Sequence, residues 1–516
     1  MSKKFRHFIY YIILVLAPFI LWLTLEFALN KLTQRFEPLK TDKEKQSLYL
    51  NQDYFNDFFI YNLPAFYTTS TSNRAIHLEK NDRFRIFCLG GSTTAGYPYN
   101  TFPQFSCPSS FPNYLRAILQ YNKNIPDLEI LNAGCNALNS YNILQVFKDL
   151  KKYDPDLIIV YTGHNEFFGP NEFALPKEKA LLYYNQSYSG ILFKLRRTFL
   201  YQGLRWFIRL FSKKSSSEHQ DYLSWSKKNY VLHNDPINDV VKANFQKNLK
   251  ELVKLAKDAG IKLVLCTPVS NWTFPPFISK HSRELSRQET VFWDSLTTQA
   301  KNFYQEEKYK EALHIWTQLK DIDSTYADIF YQAGKAYTKL NMYGEAAYEL
   351  WRAKDLDALP FRAKSFVTPI IREIAINENI ILADLEQFYI QLSNRLIPNQ
   401  GLLLEHLHPT EAGYYYMALH IAQVLVKNKV FKGVTEIEFP EIDKCREVLN
   451  ILDFVVDRIE FDLANESYLE RLSDLNPEIK GFLAQVRNRA YAHAQAIGQE
   501  LVREMNKEKQ ETEQNK

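Results

Sequence analysis

The stretch Arg85–Gly96 (RIFCLGGSTTAG) constrains the fold of this chain more than any other. Ile86, Phe87, Cys88 and Leu89 form an unbroken apolar run, as expected of a parallel strand covered on both faces. Gly90 and Gly91 follow, and they allow backbone angles and close approaches that a side chain would block. Ser92 and Thr93 then stand where a helix can begin. A serine at the carboxyl end of the first strand of an α/β sheet lies where such sheets bind ligands. On that ground Ser92 reads as a nucleophile. On this stretch alone it reads equally well as a helix cap.

Two later stretches repeat the arrangement. Leu128–Gly134 (LEILNAG) is strand-like and ends in Asn132-Ala133-Gly134. Asp156–Gly163 (DLIIVYTG) is a third such run, followed by His164, Asn165 and Glu166. In a parallel sheet the three ends lie side by side. Between them, Phe111–Tyr121 and Ser140–Tyr153 place apolar residues at helical spacing, and Asp154-Pro155-Asp156 breaks the second helix. A fourth strand is expected over Ile261–Pro268, after an amphipathic helix at Val240–Asp258, and a fifth over Ile380–Leu385. Strands alternating with helices at this spacing indicate a parallel sheet. Far along the chain, Glu405-His406-Leu407-His408-Pro409 supplies a histidine with an acid three residues before it.

Serine, glycine, asparagine and histidine in that order resemble the four blocks of the SGNH (GDSL-type) hydrolase superfamily. The resemblance covers roughly residues 83 to 270 and 365 to 428. The family pattern is departed from in three places. The first block is Gly90-Gly91-Ser92-Thr93 in place of Gly-Asp-Ser-Leu, Glu166 follows Asn165 where Asp is usual, and Glu405 stands where the family has Asp. The resemblance implies a three-layer α/β/α sandwich on a parallel sheet of about five strands. It also implies Ser92 as nucleophile, His408 as general base and Glu405 as the acid that orients the imidazole. The oxyanion hole would be the backbone N–H of Ser92, the backbone N–H of Gly134 and the side-chain amide of Asn165. No cofactor or metal is expected. His164, Glu166, His406 and His408 have ligand chemistry suited to zinc, but no HExxH spacing is present. Gly90–Gly96 lacks the lysine of a phosphate-binding loop.

The 516 residues leave room for two or three domains, and 46% apolar with 24% charged residues suits a globular protein with a full core. A net charge of +4 is too small to argue for nucleic acid, and none is expected as a partner. Five cysteines, odd in number and without metal or redox spacing, do not fix the compartment. Phe8–Leu25 carries no charge over about 18 residues, close to the roughly 20 a spanning helix needs. It is preceded by Lys3, Lys4 and Arg6 and followed by no small-residue cleavage site. An uncleaved anchor at residues 8–29 is therefore expected, with the catalytic domain extracytoplasmic, although Lys31, Arg35, Lys40, Lys43 and Lys45 weaken the charge argument for orientation. Residues 30–82 are read as a connector with little regular structure.

Two insertions interrupt the sheet domain, whose two parts are expected at 83–292 and 361–428. Residues 190–214 interleave Lys194, Arg196, Arg197, Arg205 and Arg209 with aromatic residues. Such a helix can lie in the headgroup layer of a membrane or pack on the protein by its aromatic face. Over residues 293–360, Tyr309 and Tyr343, Ala312 and Ala346, and Trp316 and Leu350 are each 34 residues apart, the period of tetratricopeptide (TPR) repeats. Two TPR-like helix pairs are expected there, as a surface for a protein partner or as a cap on the cleft. Residues 429–516 are expected to be helical, with the last ten disordered.

The function expected from all this is serine-dependent cleavage of O-acyl esters, on a lipid, an O-acetylated glycan or another envelope component. The same residues would serve an O-acyltransferase that passes the acyl group to a glycan hydroxyl. A non-catalytic assembly factor working through the TPR-like helices is the reading from outside enzymes.

Overall fold

The computed structural model describes residues 16–29 in part, 36–50, 54–58 in part, 75–99, 107–169, 186–204, 228–466 except 394 and 400, and 473–514. Its organising element is a five-stranded sheet built from β4 (Phe84–Gly90), β5 (Leu128–Asn132), β6 (Leu157–Tyr161), β7 (Lys262–Cys266) and β8 (Ile381–Ala383). The strand order is β5-β4-β6-β7-β8, and every pairing is parallel. The first of these five strands in chain order, β4, thus lies between the second and third. The crossovers reverse direction there, and such a switch point opens a crevice at the strands' carboxyl ends.

Alternate side chains of each strand feed two cores, as a period of two requires. Ile86 and Cys88 join Leu157, Ile159 and Val264 on one face, under α2 (Phe111–Gln120) and α12 (Glu411–Lys427). Phe87 and Leu89 join Ile158, Val160 and Leu265 on the other, under α3 (Ser140–Leu150), α5 (Ile237–Asp258) and α10 (Val367–Asn377). These are the three layers. The short α1 (Ser92–Ala95) leads off β4, and α4 (Gln186–Arg196) lies between β6 and α5 in the chain.

Four consecutive helices stand between β7 and β8: α6 (Arg287–Gln305), α7 (Tyr309–Ile322), α8 (Ala327–Lys339) and α9 (Tyr343–Leu356). They share a core that includes Trp293, Ala312, Trp316, Ala346 and Leu350. The helical segment begins at Arg287, six residues before the expected boundary of 293, because Ser286 and Glu289 form a capping box. Then come α11 (Leu385–Leu392), α13 (Ile442–Leu449), α14 (Asp453–Glu466) and α15 (Pro477–Gln514).

Within the segment 30–82, read as a connector with little regular structure, β1 (Leu39–Asp42), β2 (Ser47–Leu50) and β3 (Ala75–His77) form a small antiparallel sheet. Leu39, Leu48, Leu50 and Ile76 bury one face of it against the core over α3 and α5. In the tail, α15 continues to Gln514 among the described residues. Its Glu, Lys and Gln are good helix formers, and composition alone had pointed the other way. Half of the anchor expected at 8–29 lies outside the described residues. Among those described, no helix is long and apolar enough to cross a membrane.

Candidate active site

Ser92 is the first residue of α1, and the N-cap position belongs to Gly91, which makes no side-chain cap. The serine hydroxyl is therefore not used as a helix cap. It lies 2.7 Å from His408 Nε2. The other ring nitrogen, Nδ1, contacts the Glu405 carboxylate. A nitrogen against a carboxylate carries the proton, so Nε2 is left as the acceptor for the serine hydroxyl. Burial pushes the His408 pKa down from 6.5 to about 3, which keeps the ring neutral and able to accept a proton.

The Glu405-to-Pro409 turn is tightly pinned. Leu403 bridges Pro409, and the Leu404 N–H donates to the His408 carbonyl at 2.8 Å. Glu405 is fully buried and accepts the backbone N–H groups of His406 (2.6 Å) and His408 (2.9 Å). Its second oxygen also contacts His406 Nδ1, so both imidazoles meet one carboxylate. These four contacts fix the carboxylate despite the extra methylene of Glu over Asp.

The His406 ring sits among Phe274, Phe277 and Phe361, at centroid distances of 5.6, 5.1 and 6.0 Å. Burial, with His408 and Arg362 nearby, holds its pKa well below the usual value. The loop carrying Phe274 and Phe277 is held by a buried ion pair. Asp357 accepts the N–H groups of Phe277, Ile278 and Leu359 and pairs with Arg362 Nη2 at 3.0 Å. Arg362 Nη1 donates to the carbonyls of Asn271 and Phe274, and the Asn271 N–H donates to the His406 carbonyl at 3.0 Å. The exit of the four-helix insertion is thereby bonded to the histidine turn.

Gly134 and Asn165 follow β5 and β6 and lie against α1 and the turn before it. A Cβ at Gly134 would lie 2.3 Å from the Ala95 nitrogen, so only glycine fits against α1. Its N–H donates to Asn132 Oδ1 at 3.0 Å, and it serves an oxyanion only by sharing or releasing that bond. A Cβ at Gly91 would lie 2.8 Å from Asn165 Nδ2, which puts this amide beside the turn before Ser92. One amide hydrogen goes to the Leu138 carbonyl at 3.1 Å, and the group has a second to offer. The Ser92 N–H, in the first turn of α1, has no intrahelical acceptor.

His164 and Glu166 make their hydrogen bonds to groups outside the histidine turn. His164 Nδ1 accepts the Ala363 N–H at 3.1 Å, and Nε2 meets the Tyr161 hydroxyl at 3.2 Å. Burial lowers its pKa to about 3. Glu166 accepts the N–H and hydroxyl of Ser140 at 3.0 and 2.7 Å, tying the Asn165 turn to the start of α3. Burial raises its pKa to about 7. Among the described residues, no group of three His, Cys, Asp or Glu is arranged to hold a metal ion.

Sequence reasoning missed three participants. His406 had been weighed only as a metal ligand, although its position beside Glu405 was in view. The Tyr97 ring lies tilted against the His408 ring at 4.5 Å while its carbonyl accepts the Tyr414 hydroxyl, and nothing local marks it. Asn132, inside the second block, orients Gly134.

Residues 88–291, less than half of the chain, match the GDSL-like Lipase/Acylhydrolase family. No curated protein matches. Solved structures align weakly. A GDSL-like lipase from Bacteroides thetaiotaomicron is 12% identical, with 67% of this chain and 89% of that one covered and a TM-score of 0.29. A catalytic mutant of an acetylxylan esterase from Geobacillus stearothermophilus is 11% identical, with 67% and 96% covered and a TM-score of 0.30. At those scores neither carries an argument here.

Proposed function

We infer that this protein, a hydrolase of ester bonds with a GDSL-like acylhydrolase domain, works through an acyl-serine intermediate on Ser92. The observation that carries the reading is the chain of contacts from the Ser92 hydroxyl to His408 and on to Glu405. Ser92 Oγ attacks the ester carbonyl as its proton passes to His408 Nε2, and Glu405 stabilises the imidazolium. The carbonyl oxygen becomes an oxyanion held by the Ser92 N–H, the Asn165 amide and, once released from Asn132, the Gly134 N–H. The tetrahedral species collapses, and the alcohol leaves with the proton from His408. Water, deprotonated by the same ring, then attacks the acyl-serine and releases the acid.

The substrate class is an acyl ester of a lipid, an O-acetylated glycan or another envelope component, met by an enzyme anchored through residues 8–29 with its catalytic domain on the extracytoplasmic side. The uncharged run Phe8–Leu25 supports the anchor, and Lys3, Lys4 and Arg6 before it support the orientation. The test is hydrolysis of p-nitrophenyl acetate and longer-chain homologues by the full chain in detergent. Turnover that is absent in Ser92→Ala supports the reading. Equal turnover by Ser92→Ala contradicts it.

A further inference from the structure

The outer face of α4 and of the helical residues 199–204 is apolar, the reverse of an ordinary surface helix. Ile191 and Leu195, one turn apart, are 61% and 45% exposed, and Leu200 and Leu204 are 62% and 56% exposed. The inner face is fixed to the protein. Phe193 packs on Phe58, Phe199 packs on Phe36, and Arg197 donates to Asp149 and to the Phe36 carbonyl. The break between the two helical pieces is also built. Thr198 Oγ1 donates to the Leu195 carbonyl and accepts the Tyr201 N–H.

Two neighbours give this face its meaning. The first is the end of the apolar amino-terminal segment. The Glu26 carboxylate accepts the N–H groups of Phe199 and Leu200, binding the start of the second helical piece. A carboxylate at a helix start is the favourable sign for its dipole. Leu21, Leu25 and Phe27 around that glutamate are exposed as well. The second is a groove of about 800 Å³ between α3 and α5. Lys148, Lys247, Lys250 and Lys254 line it. Glu251 is near Lys148 at 3.8 Å, and Asp258 pairs with Lys254 at 2.7 Å. Tyr141 in the same groove abuts Gly190 of α4, whose added Cβ would lie 3.3 Å from the Tyr141 hydroxyl. Exposed apolar side chains flanked by Lys194 and a lysine-lined groove, and continuous with an uncharged terminal segment, match the chemistry of an anionic bilayer surface.

We propose that residues 191–204 form a second contact with the bilayer, lying in the headgroup layer with Ile191, Leu195, Leu200 and Leu204 directed into the acyl region and the α3–α5 lysines toward anionic headgroups. The contact does not depend on the chemistry of Ser92. It shares with the anchor only the premise of a membrane.

The native cysteines are all buried, so a surface cysteine takes an environment-sensitive fluorophore selectively. Leu195→Cys, Leu200→Cys and Leu204→Cys are labelled in the full chain and reconstituted into vesicles of phosphatidylcholine with phosphatidylglycerol. Val291→Cys, on the exposed face of α6, is the reference. Thermal unfolding checks each variant, and the three positions report the same face if one misfolds. The expected result is blue-shifted emission and several-fold protection from iodide at 195, 200 and 204 but not at 291, stronger with phosphatidylglycerol than without. Iodide access equal to that of position 291 overturns the contact. Protection that rises with protein concentration at a fixed amount of lipid also overturns it and assigns the face to a second copy. Protection that does not change with phosphatidylglycerol overturns the lysine part. A label at Leu16→Cys reads the anchor separately, so failure there and failure at 195–204 are distinguishable.

Discussion

Replacing Glu405 with glutamine tests whether the carboxylate does chemistry or only holds a turn. The amide keeps the shape but exchanges one acceptor oxygen for a donor. Two backbone N–H groups and the His408 imidazole bond to the carboxylate. The amide cannot accept from all of them. If its NH2 faces His408, it turns the ring to the tautomer with the proton on Nε2. That proton then points at the Ser92 hydroxyl, and no base is left. The equivalent exchange in a serine triad lowers kcat by about 10,000-fold, which is about 5.4 kcal/mol of barrier. Were Glu405 only a clamp for the turn, the loss would be one buried hydrogen bond, about 1–3 kcal/mol of stability, with kcat nearly unchanged. Single-turnover acetyl ester cleavage beside urea unfolding separates the two. A Glu405→Gln enzyme with kcat within tenfold of wild type and reduced stability refutes the argument. Glu405→Asp is a milder version. It withdraws the carboxylate by about 1.5 Å, and misplacement of about 1 Å can cost about 100-fold.

Three further outcomes are expected. Asn165→Ala lowers kcat by about 100–1,000-fold with little change in KM, because the amide meets charge that exists only in the transition state; an equal rise in KM contradicts this. Asp357→Ala leaves Arg362 charged and buried, and about 3–5 kcal/mol of stability is expected to go, read by urea unfolding; a loss under 1 kcal/mol removes the pair from the account. Acid is expected to destabilise the fold. His164, His406 and His408 are held neutral by burial. Below about pH 6.5 the unfolded chain takes up protons there that the folded one does not, and stability falls with pH. Glu166, raised to about 7, acts the other way between about pH 4.5 and 7, because the folded chain keeps a proton the unfolded one has lost. The histidines outweigh Glu166, so a net loss of stability is expected on going down from about pH 6.5; a flat profile between about pH 7.5 and 5.5 contradicts it.

The parallel sheet was legible because strands buried on both faces read as plain apolar runs, and because glycine marks the turns where backbone meets backbone. Ser92 and Asn165 were visible as the residues just past those runs. The placement of Glu405 followed from a spacing of three residues, but its use by two histidines did not. His406 and His408 are the same residue type in one short turn, and only Phe274, Phe277 and Phe361, from distant segments, separate their environments. The β1–β3 sheet was hidden for a related reason. Its strands have three or four residues each, too few to show alternation, and β3 returns after a long gap. The Asp357–Arg362 pair was invisible because a buried charge and a surface charge look alike in sequence. Its role comes from the backbone groups that end up facing it.

The central claim is that Ser92 is activated by His408. Labelling of the purified full chain with a fluorophosphonate serine probe tests it most directly, with Ser92→Ala and His408→Ala alongside. The account predicts a labelled wild type, a modified peptide containing Ser92, and no labelling of either variant. Labelling that survives in Ser92→Ala, or a folded wild type that takes no label, would contradict it.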